Sequence, residues 1–195
     1  MLMHGRGFTL IELMIGIALM ALLLTFGMPS FSTMMHNMKV RSMAESLVHG
    51  LQNAKAEAIK RNQPVEFILT TDETDPDDVA SYTKSTNGRN WAIRISDGGG
   101  YTFVEAEAGN EAANNPVQVA ATGGGFDGIV TFSGLGTTTL ASDVALDITN
   151  PIAGACKTAD GDEPVRCLRV VVTTSGRVRM CDPSVNAAGG DTRAC

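Results

Sequence analysis

Gly7-Phe8-Thr9-Leu10-Ile11-Glu12-Leu13 decides the reading of this chain. A short leader carrying one arginine, Arg6, ends at Gly7. An apolar run follows, and from Phe8 to Met28 its only charge is Glu12. A carboxylate inside a membrane-length apolar helix is costly, because hydrocarbon offers nothing to solvate it. Such a residue calls for a specific partner. The run is long enough to cross a bilayer core of about 30 Å, for which about 20 residues suffice. A secretory signal peptide fits less well. Its apolar region is shorter, no small-x-small cleavage site clearly follows, and Glu12 has no place in it. A plain anchor with Glu12 reaching the interface is the simpler rival.

The segment G-F-T-L-I-E-L resembles the processing site of type IV pilins and type II secretion pseudopilins. That resemblance implies a membrane peptidase that cuts after Gly7 and methylates the new amino terminus, Phe8. It also implies that Glu12 meets the amino terminus of a neighbouring subunit as a filament grows. Partners are then other major and minor pilins or pseudopilins, the prepilin peptidase and the inner membrane. No cofactor is implied. Only Arg6 and the amino terminus flank the run on its leader side. The positive-inside rule puts the leader in the cytoplasm and residues 29–195 outside. The expected protein crosses a bacterial inner membrane once and holds its C-terminal domain in the periplasm.

With 195 residues, the chain has room for one globular domain after the anchor. Pro29 kinks a continuing helix or marks the entry to the next one. From Ser30 to Arg61, Val40, Met43, Ala44, Leu47, Leu51, Ala54 and Ala58 recur at steps of three and four, a helical stripe. Lys39, Arg41, Glu45, Gln52, Lys55 and Lys60 mostly take the other side. Asn62-Gln63-Pro64 ends the helix. Beyond it the pattern is of strands: Val65–Leu69, then Trp91–Ile95 and Tyr101–Val104 around Asp97-Gly98-Gly99-Gly100. A short strand is expected near Val117, followed by Ile129–Phe132 and Val144–Ile148. A final hairpin joins 167–172 to 177–180 through Thr174-Ser175-Gly176. The expectation is an α+β, type IV pilin-like subunit, its long N-terminal helix packed on an antiparallel sheet of about seven strands. The parts are a leader (1–7), an apolar span (8–28), an amphipathic continuation (29–62) and a β-rich domain with a cysteine-containing tail (63–195).

The four cysteines are all late: Cys156, Cys167, Cys181 and Cys195. An even count in an exported domain points to disulfides, with three possible connectivities. Sequence neighbours favour Cys156 with Cys167 and Cys181 with Cys195. Zinc is disfavoured, since no C-x-x-C is present and the histidines lie far upstream. The acidic stretch Asp72 to Asp78 lacks EF-hand spacing and is read as a solvated loop.

Catalysis finds no support. His4 falls in the leader, and His36 and His49 lie on the first helix, so the sheet domain has no histidine base. Ser133 lacks the glycine two positions earlier that a nucleophile elbow requires. The chain is not expected to be an enzyme.

The charge is uneven although the net is −6. Residues 63–150 hold 13 acids against 3 bases, whereas 164–195 hold 5 arginines against 2 acids. Arg177 and Arg179, two apart on a strand, share a face. If the tail folds back through Cys181 and Cys195, Arg193 comes near the end of the same strand. Guanidinium forks suit phosphate oxygens. From spacing alone, a solvated strand face with ordinary surface arginines is the better reading.

The long helix, the tryptophan strand, Phe132-Ser133-Gly134-Leu135-Gly136 and Gly176-Arg177-Val178-Arg179-Met180-Cys181 resemble the GspH/FimT group of minor pilins. The cysteine-bearing C-terminal stretch with G-R-V-R is more similar to the FimT side. That implies a low-abundance subunit in pilus assembly. It also implies double-stranded DNA as a candidate ligand for uptake in transformation, held by Arg177 and Arg179 with help from Arg193. No aromatic residue follows Phe132, so contacts would be to the backbone and sequence-independent. Arg94, on another strand, is expected to matter little to such binding. The alternative implied is a GspH-like minor pseudopilin of a type II secretion system.

Overall fold

A computed structural model describes residues 8–107, 116–123 and 125–195, with side chains of 24–30 outside the description. The chain divides into two compact units, Met1–Met35 and His36–Cys195. One helix, α1 (Leu10–Arg61), contributes to both and continues through Pro29. Among the described residues, no helix is long and apolar enough to cross a membrane.

Thr9 and Glu12 start α1 with a reciprocal cap. The Thr9 amide and hydroxyl each donate to Glu12 Oε2 at 2.9 Å, and the Glu12 amide donates to Thr9 Oγ1 at 3.3 Å. This is the T-x-x-E capping box, which satisfies donors that a helix N-terminus leaves open. The spacing is legible in Thr9-Leu10-Ile11-Glu12, yet reading Glu12 only as an assembly residue passes over it. At the other end, Asn62 adopts φ 53°. Gln63 N–H then returns to Ala58 O and Asn62 N–H to Ile59 O, both at 3.3 Å, closing the last carbonyls as a left-handed residue does.

In the His36–Cys195 unit, all seven stripe positions from Val40 to Ala58 are buried. Among the described residues they pack on eight strands in two four-stranded antiparallel sheets, where sequence reading expects one sheet. The first sheet contains β1 (Val65–Thr70), β2 (Asn90–Ser96), β3 (Tyr101–Glu107) and β5 (Ile129–Phe132), in the order β3-β2-β1-β5. The second contains β4 (Gln118–Thr122), β6 (Val144–Thr149), β7 (Leu168–Val172) and β8 (Val178–Cys181), in the order β4-β6-β7-β8. Inward residues of both sheets, among them Phe67, Trp91, Phe132, Leu146, Ile148 and Val170, share one core cluster with the stripe. Trp91 stacks on Phe67 with ring centroids 5.6 Å apart and donates through Nε1 to Ser46 Oγ at 2.8 Å. Gly50 admits that tryptophan, since a Cβ there would stand 2.9 Å from its ring.

The acidic loop does more than meet solvent. Its 3-10 turn, Pro76–Asp78, is capped by Asp75 and leads into Val79 and Tyr82. These two cover the outer face of the first sheet, packing with Ile68 and Ala92. Both faces of β2 are therefore closed, and Arg94 is buried rather than a surface residue. It pairs with Glu66, its register partner across β1, at 2.8 Å. It also donates to Val79 O at 3.1 Å and lies 3.8 Å from the centroid of the Tyr101 ring.

Candidate phosphate-binding strand and its tail

Strand β8 runs beside β7, with Val171 opposite Arg179 and Arg169 opposite Cys181. Alternation turns Arg179 and Cys181 away from the helix, while Val178 and Met180 pack against the core. The hairpin before β8 is held tightly. Gly176 adopts φ +76°, and a Cβ there would fall 1.9 Å from Gly136 O. Thr138 N–H donates to Thr174 O at 3.0 Å, and Lys55 Nζ reaches Gly176 O at 2.9 Å. The glycines of Ser133-Gly134-Leu135-Gly136 and Gly176-Arg177 thus serve a backbone-to-backbone contact beside α1. Lys55 sits between helix and arginine strand, a role that its place opposite the stripe did not suggest.

The sequence-selected arginines do not form one open cluster. Arg177 is exposed, and only its backbone is engaged: its N–H donates to Thr173 Oγ1 at 3.1 Å, and its carbonyl accepts from Thr173 N–H at 3.0 Å. Arg179 is half-buried and spends its fork on the tail. Its Nη1 donates to Ala194 O at 3.0 Å and its Nη2 to Cys195 O at 2.9 Å. Arg193 turns back on Asp191, with Nη2 to Oδ2 at 2.6 Å. The Arg193 guanidinium holds the Asp191 carboxyl down at about 2, and the same contact raises Arg193. Arg169 is fixed across the sheet by Asp147, at 2.7 and 3.0 Å, and that hydrogen-bonded pairing raises it. Arg166 is exposed.

The tail does fold back. Cys181 is bonded to Cys195, with Cα atoms 5.1 Å apart, and Asp182 N–H donates to Arg193 O at 2.7 Å. That brings Arg193 to the Cys181 end of β8, whereas Arg177 lies at the hairpin end. Cys156 is bonded to Cys167, with Cα atoms 5.4 Å apart. That loop is held to α1 by Asn37, whose Oδ1 accepts from Arg166 N–H at 2.9 Å and whose Nδ2 donates to Pro164 O at 3.3 Å. Asn37 escaped sequence reading because nothing local marks it. Of the processing and assembly residues, Gly7 lies outside the described residues, Phe8 is exposed, and Glu12 is engaged with Thr9. Among the described residues, no three His, Cys, Asp or Glu side chains are grouped to hold a metal.

Comparison with known proteins finds two family matches. Residues 43–189 match the family described as type II transport protein GspH, and residues 2–28 match the prokaryotic N-terminal methylation motif. No curated protein sequence matches the chain significantly. Among solved structures, the type IV minor pilin FimU of Pseudomonas aeruginosa is similar at 17% identity and TM-score 0.50, covering 72% of this chain and 87% of that one. The minor pseudopilin EpsH from the type 2 secretion system of Vibrio cholerae is similar at 18% identity and TM-score 0.48, covering 75% of this chain and 99% of that one.

Proposed function

Because this chain belongs to the GspH/FimT group of type IV minor pilins and pseudopilins, we propose that it is a FimT-like minor pilin that binds double-stranded DNA weakly. The subunit is anchored in the inner membrane by residues 8–28, with its β-rich domain in the periplasm. Cleavage after Gly7 frees the Phe8 amine, and Glu12 exchanges its Thr9 contacts for the amine of a neighbouring subunit. The motif match over residues 2–28 supports the processing and the anchor. Low dielectric favours such a charge pair over a lone carboxylate.

The DNA reading is carried by Arg177, an exposed arginine immediately before β8, within a local excess of arginine in an acidic chain. Phosphate is the fitting ligand for an arginine fork, and a sequence-independent contact needs no aromatic platform. One or two such contacts make weak binding by a single subunit, so uptake needs several subunits or other pilins. The test is a mobility shift with double-stranded DNA across salt concentrations. Arg177→Gln with Arg179→Gln should remove most of the binding. Arg41→Gln, an exposed helix residue paired only with Glu45, is the control and should change little. Arg94 cannot serve as that control, since it is buried.

The second reading is a GspH-like minor pseudopilin of a type II secretion system. It is favoured by the engagement of Arg179 and Arg193 within the chain itself, which leaves few free cations on the strand. Binding that is unaffected by the double substitution, or absent altogether, selects it.

A further inference from the structure

We propose that residues 182–195 are a strap that masks one arginine of a two-arginine anion site, Arg177 before β8 and Arg179 on it, and that a phosphate backbone binds there by displacing the strap from Arg179. This rests on the DNA reading of the same strand and adds its regulation.

Arg179 lies on β8 and Arg177 immediately precedes it, its carbonyl still bonded to Thr173 N–H, so the two are about 7 Å apart along an extended chain at roughly 3.3 Å per residue. That spacing matches the step between successive phosphates of a nucleic-acid strand to within the reach of two arginine side chains. Yet only Arg177 is open. Both terminal nitrogens of Arg179 are taken by main-chain oxygens, of Ala194 and of Cys195. Two further links keep those oxygens in place: Cys195 is bonded to Cys181 on β8 itself, and Asp182 pairs with Ala194 in a parallel bridge made by the Asp182 N–H donating to Arg193 O. The strap also carries two acids, Asp182 and Asp191, against one base, Arg193, so it lowers the positive field over the strand.

A phosphate oxygen is a stronger acceptor for a guanidinium than the neutral peptide carbonyl of Ala194, because the hydrogen bond is charge-assisted. Phosphate and strap therefore compete for the same two nitrogens. The strap's tether to Cys181 keeps its local concentration high, and closure wins until a polyanion arrives. The closed subunit is a one-arginine binder, and the open one is a two-arginine binder.

The experiment uses the full chain in detergent micelles. The strap is opened in two ways: by Cys181→Ser with Cys195→Ser, and by ending a Cys181→Ser chain after Pro183. Hydrogen exchange confirms that the Asp182 amide is released while the amides of β6 and β7 stay protected. Each form is titrated with a short DNA duplex and, separately, with inorganic polyphosphate, with and without Arg179→Gln. Opening should tighten binding of both polyanions on the order of tenfold at low salt, the factor that one charge-assisted hydrogen bond supplies. The salt slope should steepen by about 0.9 for the added phosphate contact. Arg179→Gln should abolish the gain in the opened chain and change little in the closed one. An opened chain that binds polyphosphate no tighter, or a gain that survives Arg179→Gln, overturns the strap. A polyphosphate gain with no DNA binding in any form upholds the strap and overturns the DNA reading.

Discussion

Replacing Arg94 by glutamine should destabilise the His36–Cys195 unit strongly, although arginine on a strand invites the opposite expectation. Arg94 is 5% exposed. Its Nε is 2.8 Å from Glu66 Oε2, its Nη1 holds Val79 O, and its guanidinium covers the Tyr101 ring. Glutamine is shorter and uncharged, so it leaves the Glu66 carboxylate without its counter-charge under the Val79–Tyr82 cover. Removing one member of a buried pair costs about 3–5 kcal/mol. The Glu66 side chain keeps 20% exposure, so water takes part of the charge and the lower figure, about 3 kcal/mol, applies. In a domain of this size each kcal/mol moves Tm by about 2–4 °C, so Tm should fall by roughly 6–12 °C. Glu66→Gln added to Arg94→Gln removes the stranded charge and should recover about 1 kcal/mol or more. Thermal and urea unfolding followed by circular dichroism measure both variants. A loss below about 1 kcal/mol, or a double variant no more stable than the single one, would show that Arg94 does not hold a stranded Glu66 charge.

Two other outcomes follow from the geometry. Gly176→Ala puts a Cβ at 1.9 Å from Gly136 O in a left-handed backbone, so it should cost at least about 1–2 kcal/mol from the conformation alone and shift the 133–138 turn, visible as amide shifts there. Asp191 should titrate near 2 in the folded chain, against about 3.9 for a free aspartate. Its folded value is depressed, so its contribution is present above about pH 4 and is lost as pH falls toward 2. Arg193→Gln should return the midpoint to the free value, and an unchanged midpoint in side-chain carboxyl NMR would show that Arg193 is not the cause.

Local periodicity made the long elements legible. The stripe from Val40 to Ala58 lies on one helical face, and the alternation of Val144–Ile148 is the burial pattern of a strand with one face on the core. Glycine turns at 98–100 and 174–176 located two hairpins for the same reason. What stayed hidden depends on distant pairing. β1 bonds to β5 some sixty residues later, and nothing local assigns the strands to two sheets. The cover of the first sheet rests on Val79 and Tyr82, two apolar side chains in an acidic stretch. That cover is why Arg94 is buried. Arg179 looked free because its partners are backbone carbonyls, which any residue carries, brought in by a tail of ordinary polar composition. Glu12 sits three residues after Thr9, a capping-box spacing that the sequence reading passed over, and its hydrogen bonds show that local role.

The amino terminus of the chain reads out directly the proposal that it is processed and assembled as a pilin-like subunit. Mass spectrometry of the protein isolated from membranes should find a chain that begins at Phe8 and carries one methyl group on its amine. Gly7→Val should leave it unprocessed. An amino terminus at Met1, or cleavage beyond Met28, would overturn the pilin reading of the chain.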